Sequence, residues 1–407
     1  MLDSRTLSEK YTPFLLVAVL FFIPLSSSFK SVFIVLSTLA LILTPYFRRQ
    51  LCFTLRQSYC ISAIILFLIT LIACCWSEAD YHIRFLFIEK YSKLLYLPLF
   101  MIGFQNKLVR KMGVYAFLLA MFITCTVSFF KYFNHITNPE KLFHDHISTS
   151  CMMAFAVYLS ILMVIQNSGF KRILFLLLAI LCSFQLFFIN EGRIGYIIYV
   201  VLMVLLLIQY LPKKYLIVGM ISFALTLGFC AARSPAFHTR LQQTITDWKH
   251  YQQGDKNTPI GMRLVFHHHA KSMFLASHWI GYGTGGFSRY YQQTNPLPAY
   301  RDVLEPHSQY WLIASEFGLL GLTALITFYG SLIVAAMRLN KMKPIMLGLL
   351  ACFFLSNLTD SQLLHSDIGY LFIVFSCLCL GEFVPSCKHV AIKSIQKEPV
   401  MSRVTNL

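Results

Sequence analysis

Long apolar runs dominate this chain and limit most strongly how it can fold. Its 407 residues are 57% hydrophobic and only 13% charged, whereas a soluble protein carries about a quarter charged residues. Runs of near twenty apolar residues match the thickness of a lipid bilayer. The pattern predicts an all-α, polytopic integral membrane protein that forms one transmembrane domain over residues 1–407. We expect about twelve spanning helices, near residues 12–27, 29–47, 58–76, 84–104, 112–133, 149–167, 171–190, 193–211, 214–232, 308–337, 343–357 and 364–384.

One long polar segment, residues 233–306, interrupts the apolar pattern between the predicted helices 9 and 10. Reactions that need an aqueous environment can take place in such a segment, and we expect a large, partly helical loop there. We call residues 233–306 the large loop. Residues 385–407 follow the last predicted helix as a polar tail.

The basic residues predict which side of the membrane each loop occupies, because cytoplasmic loops are enriched in Lys and Arg. With the N-terminus in the cytoplasm, more than half of the basic residues fall on that side. The other short loops hold only Lys30, Arg84, Lys131, Lys141 and Arg193. We therefore expect both termini, including the 385–407 tail, in the cytoplasm and the large loop outside it. The net charge of +17 is then a topology signal, and no nucleic acid partner is expected.

A location outside the cytoplasm restricts the chemistry of the large loop. Neither ATP nor nucleotide sugars are present there, so a transferase needs a donor that was activated beforehand and carried across the membrane. The sequence has no Walker loop, GxSxG elbow or HExxH motif. Most of its 12 cysteines lie in apolar runs, which is typical of small buried residues. No cofactor is expected.

Two arginines are candidates for binding phosphate. Arg193 ends the short turn 190–193 between two apolar runs, which holds its guanidinium near the lipid headgroups, and Arg263 opens an amphipathic stretch of the large loop. The planar fork of arginine suits phosphate oxygens. The alternative for Arg193 is a helix-end arginine that reaches toward water. For Arg263, as for any lone arginine, the default interpretation is a solvated helix face. The residues alone leave both interpretations open.

A histidine at the end of the large loop is a candidate general base. His307 follows Pro306 at the start of the predicted helix 10, and the small residues Gly318 and Gly321 lie on the same face at helical spacing. Small residues let another helix approach closely. A histidine on a rigid element at the water–membrane boundary suits proton transfer, although a structural hydrogen bond is an equal alternative. Asp360 is predicted on the same side, where it would orient a histidine or solvate a loop.

Two further motifs of the large loop are ambiguous. Residues 281–286 include four glycines, whose amides would form an anion-binding nest or a plain tight turn. His267, His268 and His269 are adjacent in sequence, and adjacent helical residues point in different directions, whereas zinc ligands converge. We therefore expect no metal site there.

The order and spacing of these residues resemble the O-antigen ligase family. His307-Ser308, nine residues, Gly318, two residues and Gly321 resemble the family signature of a His, a small polar residue, nine residues, Gly, two residues and Gly. The stretch 281–285 resembles the family's GxGxG element.

The resemblance extends beyond these two motifs. Arg193 and Arg263 stand where the family has two important arginines, and Asp360 matches an acidic position more loosely. The likeness covers residues 180–365 as motifs. It covers the whole chain as topology, since the family has twelve spanning helices and one large periplasmic loop.

The resemblance implies an enzyme of the O-antigen ligase/polymerase superfamily with a GT-C-like membrane fold, in the bacterial inner membrane. It would transfer a preassembled glycan from undecaprenyl pyrophosphate to the lipid A–core oligosaccharide on the periplasmic face, with inversion. With the cationic arginines in place, no divalent metal is required. His307 would act as the base, and Arg193 and Arg263 would stabilise the leaving pyrophosphate. Together with these arginines, Gly283, Gly285, Ser308 and Asp360 would contact substrate.

Three other functions remain open. An O-antigen polymerase uses the same donor and adds it to another lipid-linked glycan. A protein O-oligosaccharyltransferase transfers to Ser or Thr, but such relatives usually carry a larger C-terminal region than this chain. A polysaccharide transporter would concentrate polar residues near the bilayer midplane, whereas here they gather in the large loop. The glycan, the acceptor sugar and the oligomeric state are not determined by the sequence.

Overall fold

The described part of the chain is entirely helical. A computed structural model describes residues 4–136, 143–190, 192–294, 296–297 and 299–385, and these contain no strand. The prediction of an all-α membrane protein is confirmed. The helices are α1 (Ser4–Phe22), α2 (Ser27–Leu43), α3 (Pro45–Leu55), α4 (Ser58–Ile72), α5 (Tyr81–Tyr91), α6 (Tyr96–Gly103), α7 (Lys107–Phe133), α8 (His146–Gln166), α9 (Gly169–Phe184), α10 (Arg193–Tyr210), α11 (Lys213–Arg233), α12 (Pro235–Gln252), α13 (Pro259–Ala276), α14 (Gly286–Thr294), α15 (Gln309–Arg338), α16 (Lys343–Ser356) and α17 (Ser366–Leu380).

The described residues contain fewer full-length spans than the sequence predicted. Eight helical stretches are long and apolar enough to cross a membrane, or nine if a bent pair counts as one span. The expectation of about twelve is therefore corrected. The eight are Ser58–Cys75, Lys107–Phe133, His146–Gln166, Gly169–Ile189, Arg193–Tyr210, Lys213–Arg233, Gln309–Arg338 and Ser366–Phe383.

Breaks and short lengths account for the difference. The predicted helix 29–47 bends by 96° between α2 and α3, where Pro45 opens α3 and cannot continue the preceding hydrogen-bond ladder. The predicted helix 84–104 is split into α5 and α6 by a 3₁₀ turn at Ser92–Leu95. The helix α16 has only 14 residues, and α1 begins in a charged segment. Apolar residues alone did not reveal these interruptions.

The core lies around α8 and α17, while other helices keep apolar faces exposed. In the apolar stretches that could cross a membrane, 83% of the residues of α8 and 72% of those of the stretch that begins with α17 are buried. None of the described side chains of α11 is buried. Ile217 and Leu225 of α11 are more than two thirds exposed. Large apolar side chains exposed in such numbers are typical of helices that face lipid, which fits a bundle embedded in a bilayer.

The large loop folds into helices that lie against α15. Between α11 and α15 the chain forms α12, α13 and α14, and α13 packs on both α12 and α15. The prediction that the loop is partly helical matches these helices. The predicted tail lies outside the described residues from 386 onward.

The helix α15 is broken at Gly318, and the backbone of the large loop hydrogen-bonds to the groups that the break leaves without helical partners. Gly318 has φ 60° and ψ −150° within α15. Leu319 N donates to His278 O at 2.7 Å and Leu320 N donates to Trp279 O at 3.2 Å. In the other direction, Gly283 N donates to Glu316 O at 2.8 Å. Where a helix is interrupted within a membrane, other parts of the protein must supply hydrogen-bond partners for the freed backbone groups.

Glycine is required on both sides of this contact. A Cβ atom on Gly318 would lie 2.6 Å from the carbonyl carbon of Trp279, and one on Gly281 would lie 2.4 Å from the carbonyl carbon of Glu316. The sequence-based interpretation of Gly318 as a helical residue that admits another helix is therefore wrong. Gly318 admits a loop, and it does so by leaving the helical conformation.

Candidate functional site

His307 is held in an unusual backbone conformation at the start of α15. Its φ is 52°, a left-handed value that histidine tolerates better than bulkier residues do. Gln309 N donates to Asn357 O at 3.0 Å, which ties the start of α15 to the end of α16. The His267 side chain of α13 lies 3.4 Å from the His307 carbonyl oxygen. These contacts fix the imidazole where the large loop meets the membrane helices.

Four titratable side chains form one cluster around His307. His307 Nδ1 lies 3.2 Å from Asp360 Oδ1 and 3.5 Å from Glu305 Oε1. His365 Nε2 lies 3.1 Å from the same Asp360 atom and 3.4 Å from Glu305 Oε1. Both carboxylates are buried, whereas the His307 and His365 side chains are 38% and 39% exposed. The sequence missed Glu305 and His365, because their approach depends on how two separate loops meet.

The cluster changes the protonation of its members. Burial acts to raise the pKa of Asp360, but hydrogen bonds with His307 and His365 outweigh it and hold this pKa well below its usual range. Burial acts to lower the pKa of His365, yet the two carboxylates raise it to about 10. His365 is therefore a cation at neutral pH. Burial, supported by the nearby Asp360 charge, raises the pKa of Glu305.

The pKa of His307 is also raised, for the same electrostatic reason. Burial opposes the shift, and the Asp360 hydrogen bond together with the Glu305 charge outweighs it. When His307 is neutral and its Nδ1–H donates to Asp360, Nε2 carries the lone pair. A carboxylate that fixes the tautomer in this way prepares a histidine to accept a proton.

Three arginines line a neighbouring cavity of about 540 Å³, which we call the arginine cavity. Arg193 comes from the start of α10, Arg240 from α12 and Arg263 from α13. The sequence predicted Arg193 and Arg263 and missed Arg240. The remaining wall is largely apolar and includes Ile147, Ile194, Ile197, Pro259 and Ile260, together with His146, Thr244 and Thr359.

Arg193 is positioned by a tightly packed turn. Gly192 N donates to Asn190 Oδ1 at 2.6 Å, and a Cβ atom on Gly192 would lie 2.4 Å from Ser150 Oγ of α8. Glu191 of this turn lies outside the described residues. Arg193 Nη2 lies 3.4 Å from Asp247 Oδ2 of α12, an ion pair that orients the guanidinium.

Arg263 connects the arginine cavity to the histidine cluster. Burial lowers the pKa of Arg263, the Asp360 carboxylate raises it and the nearby Arg193 lowers it further. The guanidinium nevertheless remains charged, because arginine does not lose its proton in proteins. Arg263 also acts on the pKa of His307. The Arg263 charge therefore acts electrostatically on both the candidate base and the second arginine.

Three residues that the sequence predicted as substrate contacts have hydrogen-bond partners within the chain. Ser308 is buried, with Oγ 3.5 Å from Asn357 O. The Gly283 amide donates within the loop contact described above. The amides of Gly285 and Phe287 hydrogen-bond to the Glu316 side chain. The predicted anion nest therefore holds a carboxylate of the chain itself, and the structure does not bring Gly283 or Gly285 into the arginine cavity.

The adjacent histidines do not converge, but another trio does. His269 is buried and stacks on Tyr290 with ring centroids 5.1 Å apart. By contrast, ligand atoms of Glu305, Asp360 and His365 all lie within 4.8 Å of one another and would fit a metal ion by distance. A protonated His365 has no lone pair to offer a metal. With His365 protonated and Asp360 ionised, the charges of the cluster compensate one another without a metal ion.

Fold and site together define a class: a multi-pass, all-helical membrane protein with a histidine–carboxylate cluster and an arginine cavity beside its large loop. Residues 178–326 match the model of the family described as O-Antigen ligase. The match agrees with the resemblance that the motifs indicated. This match supports a ligase- or polymerase-type function with lipid-linked glycan substrates. No curated relative matches the chain.

Proposed function

We propose that this protein is an O-antigen ligase of the bacterial inner membrane. It transfers a preassembled glycan from undecaprenyl pyrophosphate to the lipid A–core oligosaccharide on the periplasmic face. The observation that carries this proposal is the placement of Arg263, which interacts with both the His307–Asp360 pair and Arg193. The arginine cavity, which would bind the leaving group, therefore lies next to His307, which would deprotonate the nucleophile.

The reaction follows from the roles of these groups. Nε2 of His307 takes the proton of an acceptor hydroxyl as its oxygen bonds to the anomeric carbon of the donor. The bond between that carbon and the pyrophosphate oxygen breaks, and the electron pair leaves with undecaprenyl pyrophosphate. Arg193, Arg240 and Arg263 stabilise the developing negative charge. In-line attack inverts the anomeric carbon.

The wall of the arginine cavity supports a lipid-linked donor. A polyprenyl pyrophosphate has an anionic head and an apolar tail, and this cavity combines three arginines with apolar residues such as Ile194 and Ile197. Three cations supply the charge that a divalent metal supplies in other glycosyltransferases, so transfer proceeds without one.

The test is a lipopolysaccharide gel from a ligase-deficient strain that expresses the wild type, His307→Ala or His268→Ala. His268 is exposed on the same helix as His267 and serves as the matched control. We expect a glycan ladder on lipid A–core with the wild type and the control. His307→Ala should lower transfer on the order of 10²- to 10⁴-fold at equal protein level.

Two results would contradict the proposal. If His307→Ala gives a ladder equal to that of the wild type, His307 is not the catalytic base. Longer lipid-linked glycans without any ladder on lipid A–core, when the protein is expressed in a polymerase-deficient strain, would identify a polymerase instead.

A further inference from the structure

A second cavity lies between the end of α4 and residues 277–293 of the large loop. It measures about 360 Å³ and is lined by three aromatic residues, Trp76, Tyr282 and Tyr290, and by the polar side chains of Glu78, Arg289 and Gln293. We call it the aromatic cavity. Its size falls in the range of about 300–1,000 Å³ that is usual for small-molecule sites.

The composition of the aromatic cavity indicates the chemistry of its ligand. Aromatic rings offer flat apolar faces, which suit the C–H faces of a pyranose ring. The carboxylate of Glu78, the guanidinium of Arg289 and the amide of Gln293 provide planar donors and acceptors for neighbouring hydroxyl groups. Glu78 and Arg289 carry opposite charges, so the lining favours a neutral hydroxylated ligand over a phosphate or a lipid tail.

Two buried donors in this lining lack a partner. Among the described residues, Trp76 Nε1 and Arg289 Nε are buried and hydrogen-bond to no other atom of the chain. An unsatisfied buried N–H group costs free energy, and each such group in a folded protein calls for an explanation. Both groups belong to side chains that line the aromatic cavity, and a ligand rich in hydroxyl oxygens would satisfy them once these side chains adjust on binding.

The aromatic cavity packs against α15, and one of its rings stacks on α13 near the contact of this helix with His307. Tyr282 N donates to Ser315 O of α15 at 3.0 Å, and the rings of Tyr282 and Tyr290 lie 5.0 Å apart. Tyr290 stacks on His269, two residues after the His267 that contacts the His307 carbonyl. Preorganised side chains bind with little loss of conformational freedom.

We propose that the aromatic cavity is a saccharide-binding subsite that holds one sugar unit of a glycan substrate. Its connection to glycan transfer rests on the function proposed above. The sugar belongs either to the donor glycan or to the acceptor oligosaccharide, and both present the same hydroxylated rings.

Binding to the purified full-length protein in detergent micelles tests this subsite. One probe is the free oligosaccharide released by mild acid from the host strain's lipid-linked glycan. The other is the core oligosaccharide released from its lipopolysaccharide. Calorimetry compares the wild type with Arg289→Gln and Tyr282→Leu. The controls are Arg301→Gln and Trp279→Leu, which alter exposed side chains outside the cavity.

We expect one probe to bind, with a Kd about tenfold higher for Arg289→Gln and for Tyr282→Leu, because each variant loses one charged hydrogen bond or one aromatic contact. The controls should bind like the wild type. Binding of the first probe assigns the subsite to the donor, and binding of the second assigns it to the acceptor. If Tyr282→Leu unfolds, the milder Arg289→Gln decides.

The subsite is refuted if neither probe binds the wild type, or if both variants bind as tightly as the controls. The gel assay separates this result from failure of the proposed function. A normal ladder without saccharide binding refutes the subsite and leaves the ligase. Saccharide binding that both variants weaken, in a protein that forms no ladder, supports the subsite and refutes the ligase.

Discussion

Nδ1 of His307 and Oδ1 of Asp360 lie 3.2 Å apart across 53 positions of the chain. The pair joins the end of the large loop to the connection between α16 and α17. It fixes the tautomer of the imidazole and raises its pKa. It is therefore the contact whose removal should change the pH dependence of transfer most clearly.

Replacing Asp360 by Asn should move the acid limb of the pH–rate profile. His307 must be neutral to accept a proton, so transfer falls as the pH drops through its pKa, which lies above the usual 6.5 in the wild type. Asp360→Asn removes the anion, lowers this pKa and shifts the limb to lower pH. The maximal rate should also fall on the order of 10²-fold, because the tautomer is no longer fixed.

Initial rates between pH 5.5 and 9 measure this shift, with the exposed Asp302 changed to Asn as the control. An acid limb at the same pH in Asp360→Asn and the wild type would show that another group controls the rate.

His365 should make the stability of the protein depend on alkaline pH. Its pKa of about 10 in the fold exceeds the ordinary value of 6.5, so its contribution is complete below about 6.5 and is lost as the pH rises through 10. Thermal midpoints in detergent should therefore fall between these pH values. His365→Gln lacks the titrating group, so its midpoint should decline less over the same interval. Parallel curves for the two proteins would argue against a charged His365.

Lysine should not replace two of the three arginines of the arginine cavity without loss of donor binding. Arg263→Lys and Arg240→Lys keep the charge but lose the planar fork that binds pyrophosphate oxygens in pairs. We expect kcat/KM for the lipid-linked donor to fall about 10- to 100-fold in each, with the KM of the acceptor unchanged. Arg301→Lys, on the exposed surface, should match the wild type. Full activity of Arg240→Lys would show that the guanidinium of Arg240 does not bind the donor.

Transfer should continue after removal of divalent cations. EDTA treatment of the purified protein should leave the rate unchanged, because the arginines stabilise the leaving group and protonated His365 opposes metal binding. A loss of activity that a single added metal restores would contradict this. Residues Glu305, Asp360 and His365 would then be the place to look for the ion.

The apolar runs and motifs revealed much of the fold and only part of the site. Arg193, Arg263, His307 and Asp360 were found because their spacing resembles a family pattern. Arg240 carries no such pattern, and only the packing of α12 against α13 brings it to the cavity.

Other features escaped the sequence because they depend on distant partners. His365 and Glu305 meet across 60 positions, and no local pattern encodes how those loops approach. Gly318 followed the helical spacing of its neighbours. Its non-helical conformation becomes stable only when the backbone of residues 278–283 supplies hydrogen bonds, so helical periodicity alone predicted the wrong conformation.

Two glycines of α15 should respond to alanine in opposite directions. Gly318 has a positive φ, and an added Cβ would lie 2.6 Å from the Trp279 backbone. Gly318→Ala should therefore destabilise the protein by about 2–4 kcal/mol and loosen the contact between α15 and the large loop. Gly330 lies in the regular part of the same helix, with no atom within 4 Å of an added Cβ. Gly330→Ala should be neutral or stabilise by about 0.5–1 kcal/mol.

Thermal midpoints of both variants in the same detergent, together with the lipopolysaccharide gel, measure the difference. Because residues 278–283 also form part of the aromatic cavity, Gly318→Ala should weaken transfer as well as stability. Equal midpoints for the two variants would mean that the break at Gly318 does not depend on glycine, and that the loop contact tolerates a side chain there.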